Sequence, residues 1–369
     1  MPFTLPAYTP PDFAALGLAK APFCRFVSAE KDGVAPDGYH ATSVYPEYFH
    51  VEGRGWVLPP DSRMDAVPVL RADDSLDTVE FRRLRAGDRV AVGRTEDGQE
   101  GIFVHTDGFD FPAHTKEKFA FRTSLTRETS FSIDYDELFE LLQHEREHGF
   151  TAWVLGPATV FDSDSRDAFS RLIAAGYVNA ILAGNALATH DLEAALYGTA
   201  LGLEIYHKRP AALGHYKHLD ALNAVRGAGS IAEAVRRGLV ANGVMHAAVQ
   251  AGIPFVLAGS IRDDGPLPEV TGDVYGAQDA MRGVVRRATT VVCLATQLHT
   301  IATGNMTPSY RVLLDGTVRP VYFYSVDMSE FAASKLADRG SLTARPILTN
   351  VQDFVVMVER GLRKKEQGA

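Results

Sequence analysis

The chemically densest stretch of the chain is residues 259–268, Gly-Ser-Ile-Arg-Asp-Asp-Gly-Pro-Leu-Pro. It sets Arg262 beside Asp263 and Asp264 in a proline-stiffened loop, directly after the apolar run 254–258. A guanidinium held there can clamp a carboxylate, and a neighbouring carboxylate can hold an amine or take its proton. The same residues also suit a plain turn in which Arg262 pairs with an aspartate. His299 lies just past another apolar run, 290–295, where an imidazole can carry a proton or can simply be hydrogen-bonded in place. Asp327 ends the run 321–326. A carboxylate there can accept both hydroxyls of an adenine-nucleotide ribose and would repel a 2′-phosphate, favouring NAD over NADP. It can equally be the N-cap of a helix over 329–337. Two glycine turns, Gly156-Pro157-Ala158 and Gly184-Asn185, each follow a short apolar run. A turn without side chains lets a flat or phosphorylated ligand reach the backbone, and a helix start behind it offers N–H donors to an anion. Neither turn is GxGxxG. His207, His215 and His218 lie among Lys208, Arg209 and Lys217. Without a nearby cysteine or carboxylate pattern they read as an anion-binding or solvated basic loop, and no metal site is expected.

The elements that must position these groups follow from periodicity. Strand-like runs at 152–155, 178–182, 254–258, 290–295, 321–326 and 346–350 alternate with helical spacing, which predicts an α/β fold with a parallel sheet covered on both faces. Ligands of such sheets bind beyond the carboxyl ends of the strands, where the turns and the 259–268 loop fall. Helices are expected over 191–201, 219–228, 230–238, 241–252 and 351–364. Ahead of the sheet, Asp134 can cap a helix with Glu137 as its capping-box partner, and Gly149 can end it. Leu138, Leu141 and Leu142 give that helix an apolar stripe, with Glu145, Arg146 and Glu147 facing water. Short β-like runs separated by Gly, Asp and Pro fill 48–111, and the first 40 residues are proline-rich, as an extended arm packed on a neighbouring subunit would be. The expected division is an arm over 1–40, a β-rich domain over 41–127 and a catalytic domain over 128–369.

Hydrophobic content of 46% and charged content of 22% are those of a globular protein, and a net charge of −9 argues against nucleic-acid binding. No apolar run is long enough to span a membrane and no signal peptide is evident, so a cytoplasmic protein is expected. Cys24 and Cys293 are too far apart in sequence and too few for a disulfide framework or a metal site, and they read as reduced thiols.

The segments GPATV, AGNALATHD, GHYKHL, GAGSIAEAV, VLAGSIRDDGPLP, LATQLHTIATGN and KLADRGS together resemble the archaeal-type ornithine cyclodeaminase family. The same region is similar to the conserved domain named after lysine-ketoglutarate reductase/saccharopine dehydrogenase, and to the C-terminal part of arginine dihydrolase fusions. The similarity runs from about residue 39 to about 354, and RMDAVPVL and RAGDRVAVG resemble the family's β-rich domain. The resemblance implies a Rossmann-like, deoxyhypusine-synthase-like NAD-binding domain. It implies a nucleotide role for Gly156, Pro157 and Ala158, for Gly184, Asn185 and Ala186, and for Gly259, Ser260 and Ile261. It also implies one for a Gly304-Asn305 turn and for Asp327. Two stretches depart from it: the first 38 residues, and 310–320 (YRVLLDGTVRP), which looks like an insertion able to reshape the substrate pocket.

The resemblance implies NAD-dependent cyclisation of L-ornithine, a small cationic substrate, to L-proline and ammonia. Loop position assigns Asp263 or Asp264 to the amines, Arg262 to the substrate carboxylate and His299 to a second proton carrier. Three rivals stay open: a dehydrogenase or imine reductase on another amino acid or opine, aminoalkyl transfer between polyamines, and a non-catalytic NAD-binding protein. A homodimer or homotetramer is expected.

Overall fold

The computed structural model describes residues 3–111, 135–329 and 341–368. Its centre is a seven-stranded sheet in the order Val270–Thr271, Phe255–Ala258, Ala180–Gly184, Thr151–Leu155, Thr290–Leu294, Tyr322–Asp327, Ala344–Leu348. Every pairing in it is parallel. The alternation along each strand explains why the sheet is buried on both sides. Trp153, Leu155, Ile181, Val292 and Tyr324 face one layer, built with helices Ser163–Ala174 and Val351–Gln367. Ala152, Val154, Leu182, Val291 and Phe323 face the other, built with Val274–Val285 and Gln297–Met306. The chain leaves the central strand Thr151–Leu155 toward Ala180–Gly184 and later returns to its other side with Thr290–Leu294. This reversal is the topological switch point, the place where such sheets open a crevice for a ligand.

Ahead of the sheet lie antiparallel strands. One sheet runs Arg25–Ser28, Arg89–Val92, Val67–Leu70, Leu76–Val79, and a second places Glu47–Val51 between Gly55–Val57 and Ile102–Val104. The N-terminal arm does not need a neighbouring subunit to pack against. Phe3 lies against Tyr322 and His144, the Tyr8 hydroxyl is 2.9 Å from that of Tyr48, and Phe13 stacks on Trp56 at 4.4 Å. The 310–320 segment is a hairpin, Tyr310–Val312 against Val318–Pro320, and its first strand pairs with Asp61–Ser62. It therefore ties the β-rich part to the large sheet.

That hairpin also corrects the reading of Glu145. The expectation placed Glu145 toward water; it is fully buried, bonded to the equally buried Arg319 of the hairpin and to the Thr289 hydroxyl. Its neighbours Leu138, Leu141 and Leu142 are buried as expected on helix Tyr135–His148, and the Gly149 N–H closes that helix on the Glu145 carbonyl at 2.9 Å. Asp134, the expected cap, and residues 330–337 of the expected helix after Asp327 lie outside the described residues. The helix expected over 191–201 is Asn185–Tyr197, ended by Gly198 in the left-handed conformation (φ 67°). Among the described residues no helix is long and apolar enough to cross a membrane. Both cysteines are buried free thiols, and burial pushes the Cys24 thiol up to about 12.

Candidate active site at the strand ends

The carboxyl ends of the strands bring Gly156, Gly184, Gly259, Ala295 and Asp327 to one edge of the sheet. Gly156 is at the switch point itself. Its N–H donates to the Leu294 carbonyl at 2.7 Å, and a Cβ on it would overlap the carbonyl of Ala295. Ala295, a residue sequence reasoning passed over, holds a left-handed backbone (φ 46°) at this contact. A non-glycine residue kept there is a local strain of the kind that gathers at functional sites. No motif in the sequence marks it. Pro157 and Ala158 form a short 3-10 turn, Pro157–Val160, whose Ala158 carbonyl accepts from the Gln352 side chain at 2.9 Å. With the Gly156 N–H committed and Pro157 lacking one, this turn offers an anion fewer donors than its composition suggests.

The helices on either side offer more. Gly184 is the N-cap of Asn185–Tyr197 and Thr296 that of Gln297–Met306, and neither cap side chain bonds the first turn. By contrast Asp162, Asp273 and Asn350 cap their own helices. Two uncapped helix starts flanking a glycine turn leave first-turn N–H groups, including that of Ala186, and the positive ends of two helix dipoles toward the crevice. Asn185 has a structural task as well: its Oδ1 accepts from the Leu267 N–H at 3.1 Å and so anchors the 259–268 loop.

His299 sits on the first turn of Gln297–Met306, with its ring over Gly184. A Cβ at Gly184 would lie 2.8 Å from His299 Cε1, so the glycine makes room for the imidazole. The Thr296 hydroxyl is 3.4 Å from Nδ1. Burial pushes the imidazole below the ordinary histidine value, and the Asp263 carboxylate opposes that shift. The ring is therefore neutral near pH 7.

The loop divides its charged residues. Asp263 is half-buried and accepts from the Ser260 N–H at 2.8 Å, and the Ser260 hydroxyl accepts from the Arg262 N–H at 3.1 Å. The Arg262 and Asp264 side chains are exposed and take no partner among the described residues; Ile261 is fully exposed. The plain turn with Arg262 paired to an aspartate is thus not what forms. Asp327 ends its strand, and its carboxylate accepts from the Ser329 N–H at 2.9 Å. Gly304 and Asn305 do not form a turn. They belong to the last turn of Gln297–Met306, about 10 Å along the axis from its start, with Gly304 against the Phe323 ring. The turn reading failed because glycine, asparagine and a following proline also suit the end of a helix. His215 and His218 lie on helix Gly214–Ala228, and no group of three His, Cys, Asp or Glu gathers as for a metal among the described residues.

A parallel sheet with its switch point at Gly156, flanked by two helix starts without side-chain caps, defines an α/β domain of the Rossmann-like class. Residues 137–358 match the family described as arginine dihydrolase ArgZ-like, C-terminal, Rossmann fold. The ornithine cyclodeaminase of Methanococcus maripaludis is 36% identical over 349 residues, covering 92% of this chain and 79% of that protein. The crystal structure of a LOR/SDH protein from the same organism superposes with a TM-score of 0.83 at 34% identity, covering 94% of this chain and 99% of the other. AgrE in its ternary complex with ornithine and NAD+ superposes with a TM-score of 0.58 at 31% identity, covering 95% of this chain and 47% of AgrE. The chain belongs to the archaeal-type ornithine cyclodeaminase family, whose Rossmann domain is shared with the C-terminal part of arginine dihydrolase fusions, and it is an enzyme of that lyase type.

Proposed function

We propose that this enzyme converts L-ornithine to L-proline and ammonia with NAD as a recycled cofactor. The observation that carries the reading is His299 seated on Gly184 at the strand ends, beside a loop whose Arg262 and Asp264 are free. NAD suits the edge: the close approach at Gly156, the uncapped starts at Gly184 and Thr296, and the Asp327 carboxylate supply an apposed backbone, anion-facing N–H groups and a ribose acceptor. When bound, NAD supplies a hydride acceptor that gives the hydride back within the same turnover. Gly156, Pro157, Ala158, Gly184, Asn185, Ala186, Gly259, Ser260, Ile261 and Asp327 are the proposed cofactor contacts. Gly304 and Asn305 are left out because they lie far along their helix.

The side chains have four tasks. Arg262 clamps the substrate carboxylate in a paired, charge-assisted contact. Asp264, exposed on the loop, holds the amines. Asp263 shapes the loop and sets the charge next to His299. The neutral His299 takes a proton from the attacking δ-amine on the nitrogen opposite Thr296 and returns it to the departing ammonia. Once the α-carbon has lost its hydride and is at the imine level, the δ-nitrogen adds to it and the bond from that carbon to the α-nitrogen then breaks to release ammonia, so closure depends on holding the chain folded. The hydride removed from the α-carbon is restored to it, and no net oxidation remains.

Large apolar side chains left exposed on the elements at this edge, Ile261, Val274, Tyr275 and Leu298, support assembly as a homodimer or homotetramer. Buried free thiols suit a cytoplasmic setting. The test is mass spectrometry of the protein with NAD and isotope-labelled L-ornithine. Labelled proline and ammonia without net NADH are expected. Stoichiometric NADH, or bound NAD without proline, would overturn the assignment in favour of a dehydrogenase on another amine.

A further inference from the structure

Away from the strand ends, a cavity of about 340 Å³ opens between strand Leu76–Val79 of the β-rich part and the C-terminal half of helix Val274–Val285. Five guanidinium groups line it, from Arg71, Arg83, Arg85, Arg282 and Arg286, against three carboxylates, from Asp77, Glu80 and Asp88. The carboxylates are already engaged. Asp77 lies 2.8 Å from Arg71 and 3.3 Å from Arg286, Asp88 lies 3.0 Å from Arg71 and accepts the Arg85 N–H at 2.8 Å, and Glu80 binds Arg282. Outside the lining, Asp61 also holds Arg286 at 3.1 Å. Arg83 leans on Asp279 at 3.4 Å and Arg85 on Asp32 at 3.1 Å, both across half-exposed or exposed side chains where such pairs are weak.

Two buried atoms of the lining lack a hydrogen-bond partner among the described residues, Arg282 Nε and Glu80 Oε1, and Arg282 is only 6% exposed. Burial, with Arg63 and Arg83 close by, pushes its guanidinium down to about 10. Crowded cations at a buried donor are relieved by an incoming anion.

We propose that this interdomain cavity is a binding site for a small multivalent oxyanion, a phosphate or polycarboxylate, held by the guanidinium groups of Arg83, Arg85 and Arg282. The anion draws strand Leu76–Val79 onto helix Val274–Val285. That helix starts at Asp273, near the strand-end crevice, so the anion stiffens an element shared by both places.

The experiment is thermal unfolding and calorimetric titration of the full chain with inorganic phosphate and, separately, citrate, against sodium chloride at matched ionic strength and with NAD present and absent. Saturable binding is expected for at least one anion, with a rise in Tm that chloride does not give. Which anion binds more tightly separates the phosphate from the polycarboxylate source. Arg83→Gln/Arg85→Gln, at exposed positions that the fold tolerates, lowers the affinity at least tenfold, and Arg83→Lys/Arg85→Lys retains most of it. Absence of saturable binding overturns the proposal. So does binding that the glutamine pair leaves unchanged, or that NAD abolishes, because the anion would then sit in the crevice. None of these readouts uses turnover of ornithine, so failure here is distinct from failure of the proposed reaction.

Discussion

Gly184→Ala tests the site through a single methyl group. The backbone at Gly184 (φ −101°, ψ 171°) is open to alanine, so the substitution adds no dihedral strain. The new Cβ falls 2.8 Å from His299 Cε1, whereas carbon atoms rest about 3.5–4.0 Å apart, so the ring must retreat by about 1 Å. Overpacking of this kind costs about 1–3 kcal/mol. A reacting group displaced by about 1 Å can cost up to about 100-fold in rate. Gly304→Ala is the matched control. Its Cβ meets Phe323 at an ordinary 3.5 Å, and alanine is favoured over glycine within a helix by about 1 kcal/mol. The assay measures kcat, KM for ornithine, NAD affinity and urea unfolding on all three proteins. Gly184→Ala should lose between one and two orders of magnitude in kcat, and Gly304→Ala should unfold at higher urea with unchanged kinetics. A fully active Gly184→Ala would refute the placing of His299 among the reacting groups, and a Gly304→Ala that binds NAD poorly would refute the boundary drawn for the cofactor site.

Four further outcomes follow from the structure. Asp264→Asn should abolish most turnover with NAD affinity intact, since its exposed carboxylate has no partner among the described residues; full turnover would remove it from the mechanism. The His299 imidazole is depressed below its ordinary value of 6.5 and Asp263 partly restores it, so the acid limb of the pH–rate profile should lie below 6.5 and move further down in Asp263→Asn. The folded state binds fewer protons than the unfolded chain there. The stability contribution of His299, and of the likewise depressed His144, is thus fully present above 6.5 and lost as pH falls through the folded values, which urea titration between pH 7 and 5 checks. Glu145→Ala leaves the buried Arg319 unpaired and should cost about 3–5 kcal/mol in chemical unfolding, whereas Glu145→Leu with Arg319→Met should recover much of it.

Local chemistry determined much of this protein from its sequence. Apolar runs too short for helices, spaced by amphipathic stretches, dictate a parallel α/β sheet, and periodicity alone brought Gly156, Gly184, the 259–268 loop and Asp327 to one edge. Side-chain partners across the fold were not legible. The amphipathic stripe of helix Tyr135–His148 marks Leu138, Leu141 and Leu142 as core, but only the approach of the 310–320 hairpin makes Glu145 a buried anion paired with Arg319. Likewise Asp263 and Asp264 are adjacent and identical in type, and only the fold of the loop turns one to the Ser260 N–H and leaves the other free. The left-handed Ala295 stands against Gly156 across two neighbouring strand ends some 140 residues apart in the chain, and the arginine cavity exists because strands and a helix some 200 residues apart converge, as the 202-residue separation of Glu80 and Arg282 illustrates. Periodicity is a property of neighbours in sequence, whereas charge, burial and strain at a site are properties of neighbours in space.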